Sequence, residues 1–416
     1  MGVFVDIEPL RRYPAFRRLW GGAFISSIGS QLSVVAIAYE VYHLTGSNLD
    51  VGLVSLAQLI PSIVGSFVGG PIADAMDRHR LLLICGTLLA VLSVGQALDV
   101  ARAHPSVPLL YLLAGTAALV QAVNAPAQTA MMISIVEREH FAKANALRQL
   151  SNQVSSVVGP TIAGLLISAS GAKLAFSANA LSFLVSIVAV YSVGARPPLG
   201  GTTRFGWRSI VEGFAFVKAR PAIAGSFLAD FNAMVLGMPT ALFPAIALHQ
   251  FHGGARTVGL LFAAPGVGAI LGGALSGWTS IVRRAGLSIS LLSAGWGVAI
   301  AAFGFTHWLA LAVLFLALAG ACDITASIIR GTLIQTQTPD RLRGRLSAIQ
   351  TMVVSNGPRL GNTEAGLVAA ATSTQFSVVS GGLGCVVGMA LIARLLPRFA
   401  RYEFGSQEDE LARQQT

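Results

Sequence analysis

Five ionisable side chains lie inside apolar runs that should exclude them: Asp230, Asp323, Arg330, Arg359 and Glu364. On an insertion scale a charge at the centre of a membrane helix costs about 2.5–3.5 kcal/mol, so such groups pair with one another or face water. At about 1.5 Å of rise per residue, Asp323 and Arg359 fall at one depth and Asp230 and Arg330 at a second, nearer the inner surface. Glu364 has no evident partner at its own level. Arginine stays charged, whereas a carboxylate can take or release a proton. A carboxylate whose arginine partner comes and goes with conformation can therefore exchange one proton per cycle. The same five residues could instead form a static network tying three helices together. Softer groups lie in the first half: Ser30 and Gln31, Asn124 and Gln128, and Asn152, with Ser26, Ser27, Gln121 and Gln153 nearby. They could hydrogen-bond a small-molecule substrate or simply link helices.

The elements that must position these groups are membrane helices. The chain has 416 residues, 54% hydrophobic and only 11% charged, with a mean hydropathy of +0.69. Soluble domains carry about 25% charged residues. The apolar runs are continuous, which excludes the alternation of a β-barrel, and each is near the roughly 20 residues that span a bilayer. The expected class is therefore all-α, a polytopic membrane protein with twelve spans. The first six are expected at about Leu19–Tyr42, Val51–Ala73, Leu81–Val100, Leu109–Ile135, Leu150–Ala169 and Leu174–Val193. The second six are expected at about Ile223–Leu248, Val258–Val282, Leu287–Phe305, Leu309–Ile334, Leu346–Ala371 and Phe376–Leu396. Residues 1–193 then form one six-helix bundle and 221–397 a second. Residues 194–220 are a cytoplasmic linker, whose Trp207, Ile210, Val211, Phe214 and Val217 recur at the spacing of a surface-lying amphipathic helix. Residues 398–416 are a polar cytoplasmic tail.

Charge placement sets the orientation. The net charge is +10, yet all Lys and Arg except Arg102, Lys173, Arg256, Arg330 and Arg359 fall in the N-terminal tail, the even-numbered loops, or the C-terminal tail and the inner end of the span before it, where Arg394 stands. That is the positive-inside pattern, with both termini cytoplasmic and membrane lipid, not nucleic acid, as the partner of the basic face. Cys85, Cys322 and Cys385 all lie within spans, without C-x-x-C spacing, so disulfides and structural zinc are not expected. The run Gly266-Val267-Gly268 follows no strand, and P-loop, H-E-x-x-H and G-x-S-x-G patterns are lacking. No cofactor, metal or catalytic residue is expected, and the chain is not expected to be an enzyme.

Two ordered blocks repeat. Val51-Gly52-Leu53 recurs as Val258-Gly259-Leu260, with Gly65 matching Gly272 and Gly70 matching Gly277; Gly159-Pro160-Thr161-Ile162-Ala163-Gly164 recurs as Gly361-Asn362-Thr363-Glu364-Ala365-Gly366. Two pseudo-symmetric bundles around a shared site is the plan of an alternating-access carrier.

Between the second and third runs stands Gly70-x-x-x-Asp74-x-x-Asp77-Arg78-x-Arg80. A loop this tight predicts that the two runs it joins are antiparallel neighbours, its glycines letting the backbones approach closely. It resembles the loop signature of the major facilitator superfamily, which usually has glycine where this chain has Asp77. An acid there is similar to the drug and siderophore exporters of that superfamily. Asn124-Ala125-Pro126-Ala127, Ala144-Asn145-Ala146-Leu147 and Thr338-Pro339-Asp340-Arg341-Leu342-Arg343-Gly344-Arg345 resemble the same subgroup. The resemblance implies that Asp74 and Arg78 help lock a cytoplasmic gate. Ser155-x-x-x-Gly159-Pro160-x-x-Ala163-Gly164 resembles an antiporter signature that has glycines at the places of Ser155 and Ala163, and it implies export by exchange. Many relatives carry an acid where Ser30 stands, so that proton route is lacking here. The expectation is a monomeric, proton-coupled exporter of amphipathic small molecules, drugs or siderophores, in the inner membrane. The alternatives are a nutrient importer on the same fold, a non-transporting sensor or scaffold, and, last, a membrane enzyme.

Overall fold

In a computed structural model of the chain, residues 6–194, 212 and 215–405 are described, apart from the side chains of 340, 341, 343 and 348. Among them the only regular elements are helices. A short α1 (Glu8–Arg12) precedes α2 (Pro14–Thr45), α3 (Asn48–Ala75), α4 (Arg78–Val100), α5 (Val107–Ile135), α6 (Arg138–Ser170) and α7 (Ala172–Val193). The second half contains α8 (Pro221–Leu236), α9 (Ala255–Ala274), α10 (Ala285–Phe305), α11 (Leu309–Gln337), α12 (Asp340–Ala371) and α13 (Thr374–Leu395). In lipid a backbone must satisfy its own polar groups, which leaves continuous apolar runs no choice but helix. Among the described residues eleven segments are long and apolar enough to cross a membrane, with Pro221–Gln250 counted as one. The twelfth expected span is α12, which is 32 residues long but carries the charges that lower its hydropathy.

The helices divide into two compact units, Met1–Arg204 with Phe243–Ala263, and Phe205–Leu242 with Ala264–Thr416. Each has its own apolar core, around Leu89, Ala127 and Met131 in the first and around Ile223, Ile289 and Phe399 in the second. The sequence repeat reappears as packing. In the first unit, a Cβ added at Gly65 of α3 would lie 2.6 Å from the Leu119 carbonyl oxygen of α5; in the second, one at Gly272 of α9 would lie 2.9 Å from Ala321 Cα of α11. Likewise Gly159 of α6 lets Gln31 and Ile28 of α2 approach, and Gly361 of α12 does the same for Met234 and Val235 of α8. Small residues admit close backbone approach, which is what holds helices together where lipid supplies no hydrophobic drive.

Three expectations are corrected. The loop at Asp74–Arg80 was expected to make its two runs close neighbours. Instead α3 packs along α5, and α4 packs along α7 and α5; Gly69 faces Val123 of α5, while nothing lies within 4 Å of a Cβ at Gly70. Second, several helices begin earlier than the apolar runs: α6 starts at Arg138 and α12 at Asp340. Good helix formers continue a helix beyond lipid, where water solvates their charges. Third, the seventh span is not one helix. α8 stops at Leu236, and a 3-10 turn (Thr240–Leu242), a single turn (Phe243–Ala245) and a π turn (Ile246–Gln250) follow. Pro239 lacks the N–H that would continue α8. Trp296 Nε1 donates to the Gly237 carbonyl at 3.0 Å, and Asn362 Oδ1 accepts from Ala241 N at 2.9 Å and Thr240 Oγ1 at 2.7 Å. Most of the linker's expected amphipathic residues lie outside the described ones, as does the tail beyond 405; Val217 packs with Phe216 against the second unit's core.

Candidate functional site

The first unit encloses a cavity of about 310 Å³ among α2, α5, α6 and α7. Of the five soft groups expected to face substrate, Ser30, Asn124, Gln128 and Asn152 line it. Gln31 does not, because its side chain packs on Gly159. Ser30 Oγ donates to the Ser26 carbonyl at 2.9 Å and accepts from Gln121 Nε2 at 3.2 Å, which ties α2 to α5. Trp20 and Phe24 stack with centroids 5.6 Å apart, and Trp20 Nε1 donates to the Leu147 carbonyl. Sequence reasoning missed Arg148 in this wall. It stands just before the apolar run of the fifth span and reads there as a loop cation, but the earlier start of α6 carries it into the cavity. The signal was the helix-forming stretch Ala144-Asn145-Ala146-Leu147 that leads to it.

The second unit holds the charged groups. Asp230 and Arg330 are almost fully buried, at 1% and 3% exposure, with Arg330 Nη1 2.7 Å from Asp230 Oδ1. That distance is the one expected of a charge-assisted contact, and Arg330 Nε has no further hydrogen-bond partner among the described residues. The second expected pair is not formed among the described residues. Arg359 instead donates along its own helix to the Ser355 carbonyl and to Asn356 Oδ1. Asp323 lies about two turns before Arg330 on the same face of α11, and both Asp323 and Glu364 are half-buried.

In the loop after α3, Asp77 caps α4: its Oδ1 accepts from His79 N at 2.8 Å and Arg80 N at 3.3 Å. Capping is a local reason for an acid at this position. Arg78 is buried and reaches the Ala130 carbonyl near the end of α5 at 3.5 Å, whereas Asp74 and Arg80 are exposed. In α6, Pro160 and Gly164 face α9. A Cβ at Gly259 would sit 2.5 Å from the Pro160 carbonyl and 2.9 Å from Gly164 Cα. Gly159 and Gly164 thus allow α6 to pack closely on both sides.

A profile of the transmembrane secretion effector family matches residues 6–412. The chain belongs to that family. As a family member it is also similar to the enterobactin exporter EntS of Citrobacter koseri, with 28% identity over 398 residues covering 96% of this chain and 95% of the relative. The similarity to EntS of Escherichia coli O157:H7 has the same identity and coverage. Among solved structures it resembles an inward-facing, unoccupied bacterial homologue of the human lysosomal transporter Spinster, with TM-score 0.71 and 18% identity over 93% of this chain and 98% of that one. It also resembles the nucleoside transporter NupG, with TM-score 0.71 and 14% identity over 92% and 98%. A POT family transporter in complex with 5-aminolevulinic acid gives TM-score 0.74 and 10% identity over 93% and 97%. The fold is that of the major facilitator superfamily, and this family member is a multi-pass membrane transporter, not an enzyme.

Proposed function

We propose that this transporter exports amphipathic small molecules, siderophores or drugs, in exchange for protons. It does so as a monomer in the inner membrane with both termini cytoplasmic. The observation that carries the reading is the Asp230–Arg330 pair. It is almost fully buried, with the two charges 2.7 Å apart and no second counter-charge paired to either among the described residues. Burying charges costs several kcal/mol per ion unless hydrogen bonds satisfy them. A purely structural contact would be better served by apolar residues of the same volume, whereas a carboxylate that exchanges a proton has a use for a charged partner it can leave. Asp323, on the same helix face, and Glu364 are the other acids able to carry the proton, with Arg330 and Arg359 tuning them.

The cavity of the first unit supplies the substrate contacts: hydroxyl and amide groups on Ser30, Asn124, Gln128 and Asn152 beside the Trp20–Phe24 stack. Such a lining suits a molecule with aromatic and polar parts. Transport proceeds by alternating access, carried by the halves 1–193 and 221–397 that share the repeat. Asp74 and Arg78 lock the cytoplasmic gate, and α6 with Gly159, Pro160 and Gly164 is the antiporter-like helix. The likeness to EntS supports export.

Proteoliposomes containing the purified chain and an internal pH dye test the direction. Exchange predicts that a substrate gradient drives protons the opposite way. Protons moving with the substrate would make the protein a symporter, and no substrate-dependent flux would make it a non-transporting protein.

A further inference from the structure

We propose that Arg148 makes the cavity of the first unit a site for aromatic anions. The inference rests on the reading of that cavity as the substrate site and narrows its substrate class. Among the described residues Arg148 is the only charged one in the lining, and none of them there is a carboxylate. Its partners are neutral: Nη1 donates to Thr129 Oγ1 at 3.2 Å and Nη2 to Asn145 Oδ1 at 3.0 Å. No ion pair to Arg148 is found among the described residues. A guanidinium has five N–H donors, so these two bonds orient the fork and leave donors for a ligand.

A cation in a cavity wall without a counter-charge attracts an anion and repels a cation. The rest of the wall says what else the anion carries. Trp20 and Phe24 form a stacked pair and Phe183 adds a third ring, offering faces to an aromatic group. Gln121, Asn124 and Gln128 offer amides to hydroxyl or amide substituents. The ligand class is therefore an aromatic carboxylate or phenolate bearing further hydrogen-bonding groups. Cationic dyes are the wrong probes for this site.

Binding can be read apart from transport. Fluorescence anisotropy of fluorescein, an anion, and rhodamine 123, a cation on the same ring system, is titrated with the purified full-length protein. The wild type is expected to bind fluorescein more tightly. A charge-assisted hydrogen bond is worth enough that Arg148→Gln should weaken fluorescein by about tenfold or more and leave rhodamine 123 equal or tighter. Arg148→Lys, which keeps the charge and loses the fork, should fall between. Should Arg148→Gln fail to fold, competition on the wild type decides: 1-naphthoate should displace fluorescein about tenfold better than 1-naphthamide, and 1-naphthylmethylamine should be weaker still. Equal affinities for the three naphthyl competitors, preference of the wild type for rhodamine 123, binding of neither dye, or unchanged fluorescein affinity in Arg148→Gln would overturn the proposal. Arg148-dependent anion binding without any proton-coupled flux would leave it standing and sink the transport reading instead.

Discussion

Replacing Asn362 with alanine should loosen the break in the seventh span before anything else in the second unit. The Asn362 oxygen accepts two bonds, from Ala241 N at 2.9 Å and Thr240 Oγ1 at 2.7 Å. Ala241 is only 4% exposed, so water does not readily replace the lost acceptor. A buried donor left without a partner costs about 1–3 kcal/mol, and a lost ordinary hydrogen bond about 1 kcal/mol. Taking about 2 kcal/mol for the backbone bond, the local opening that exposes the Ala241 amide becomes about thirtyfold more frequent. Thr240→Val removes only the hydroxyl bond and should raise exchange about fivefold. Hydrogen exchange with mass spectrometry on a peptide spanning Gly237 to Phe243 measures both, with a peptide from α10 as the internal reference. Unchanged exchange at Ala241 in Asn362→Ala, or an equal rise in α10, would refute the idea that Asn362 holds the break.

Asp77→Ala should lower thermal stability by about 1 kcal/mol through loss of the α4 cap, and Asp77→Ser should restore most of it; a thermal melt of both variants checks this. Gly259→Leu should abolish tight packing of α6 on α9, because even a Cβ would lie 2.5 Å from the Pro160 carbonyl, and its yield on size exclusion should collapse while Gly277→Ala, in open space, should leave it unchanged. The amino-terminal clamp should respond to acid. Lys143 Nζ lies 2.6 Å from both Asp6 Oδ2 and Glu8 Oε2, and these bonds hold both carboxylates below their ordinary range. A carboxylate stabilised as the anion contributes fully above its unfolded value and loses that contribution as pH falls through the lowered folded value. Proteolytic nicking near Glu8 should therefore stay slow at neutral pH and rise only below about pH 4; a rise between pH 6 and 7 would contradict the assignment.

Much of this architecture could be read directly from residue order, because lipid leaves a continuous apolar run only one backbone solution. The repeat was also visible: Gly65 with Gly272, and Gly159 with Gly361, make matching contacts in each unit. The level of Asp230 with Arg330 followed from helical rise alone. What could not be read depends on packing. The run from Ile223 to Leu248 gives no sign that Asn362 and Trp296 would satisfy a broken backbone, although Gly237-Met238-Pro239 marks where a break could occur. The pairing of α3 with α5 is set by which small residues meet, and a tight loop does not dictate it. Arg148 reads as a loop cation because hydropathy ends a span where charges begin, whereas the helix continues. The pairing of Asp323 with Arg359 failed because equal depth does not fix the direction a side chain takes around a helix.

The most direct test neutralises the acids one at a time in the full-length transporter. Asp230→Asn, Asp323→Asn and Glu364→Gln are reconstituted in proteoliposomes with an internal pH dye, and substrate-driven proton movement is recorded against substrate flux. The account predicts that Asp230→Asn still exchanges substrate down its gradient but moves no protons. Full coupling in all three variants would contradict it and leave the buried charges as a structural network.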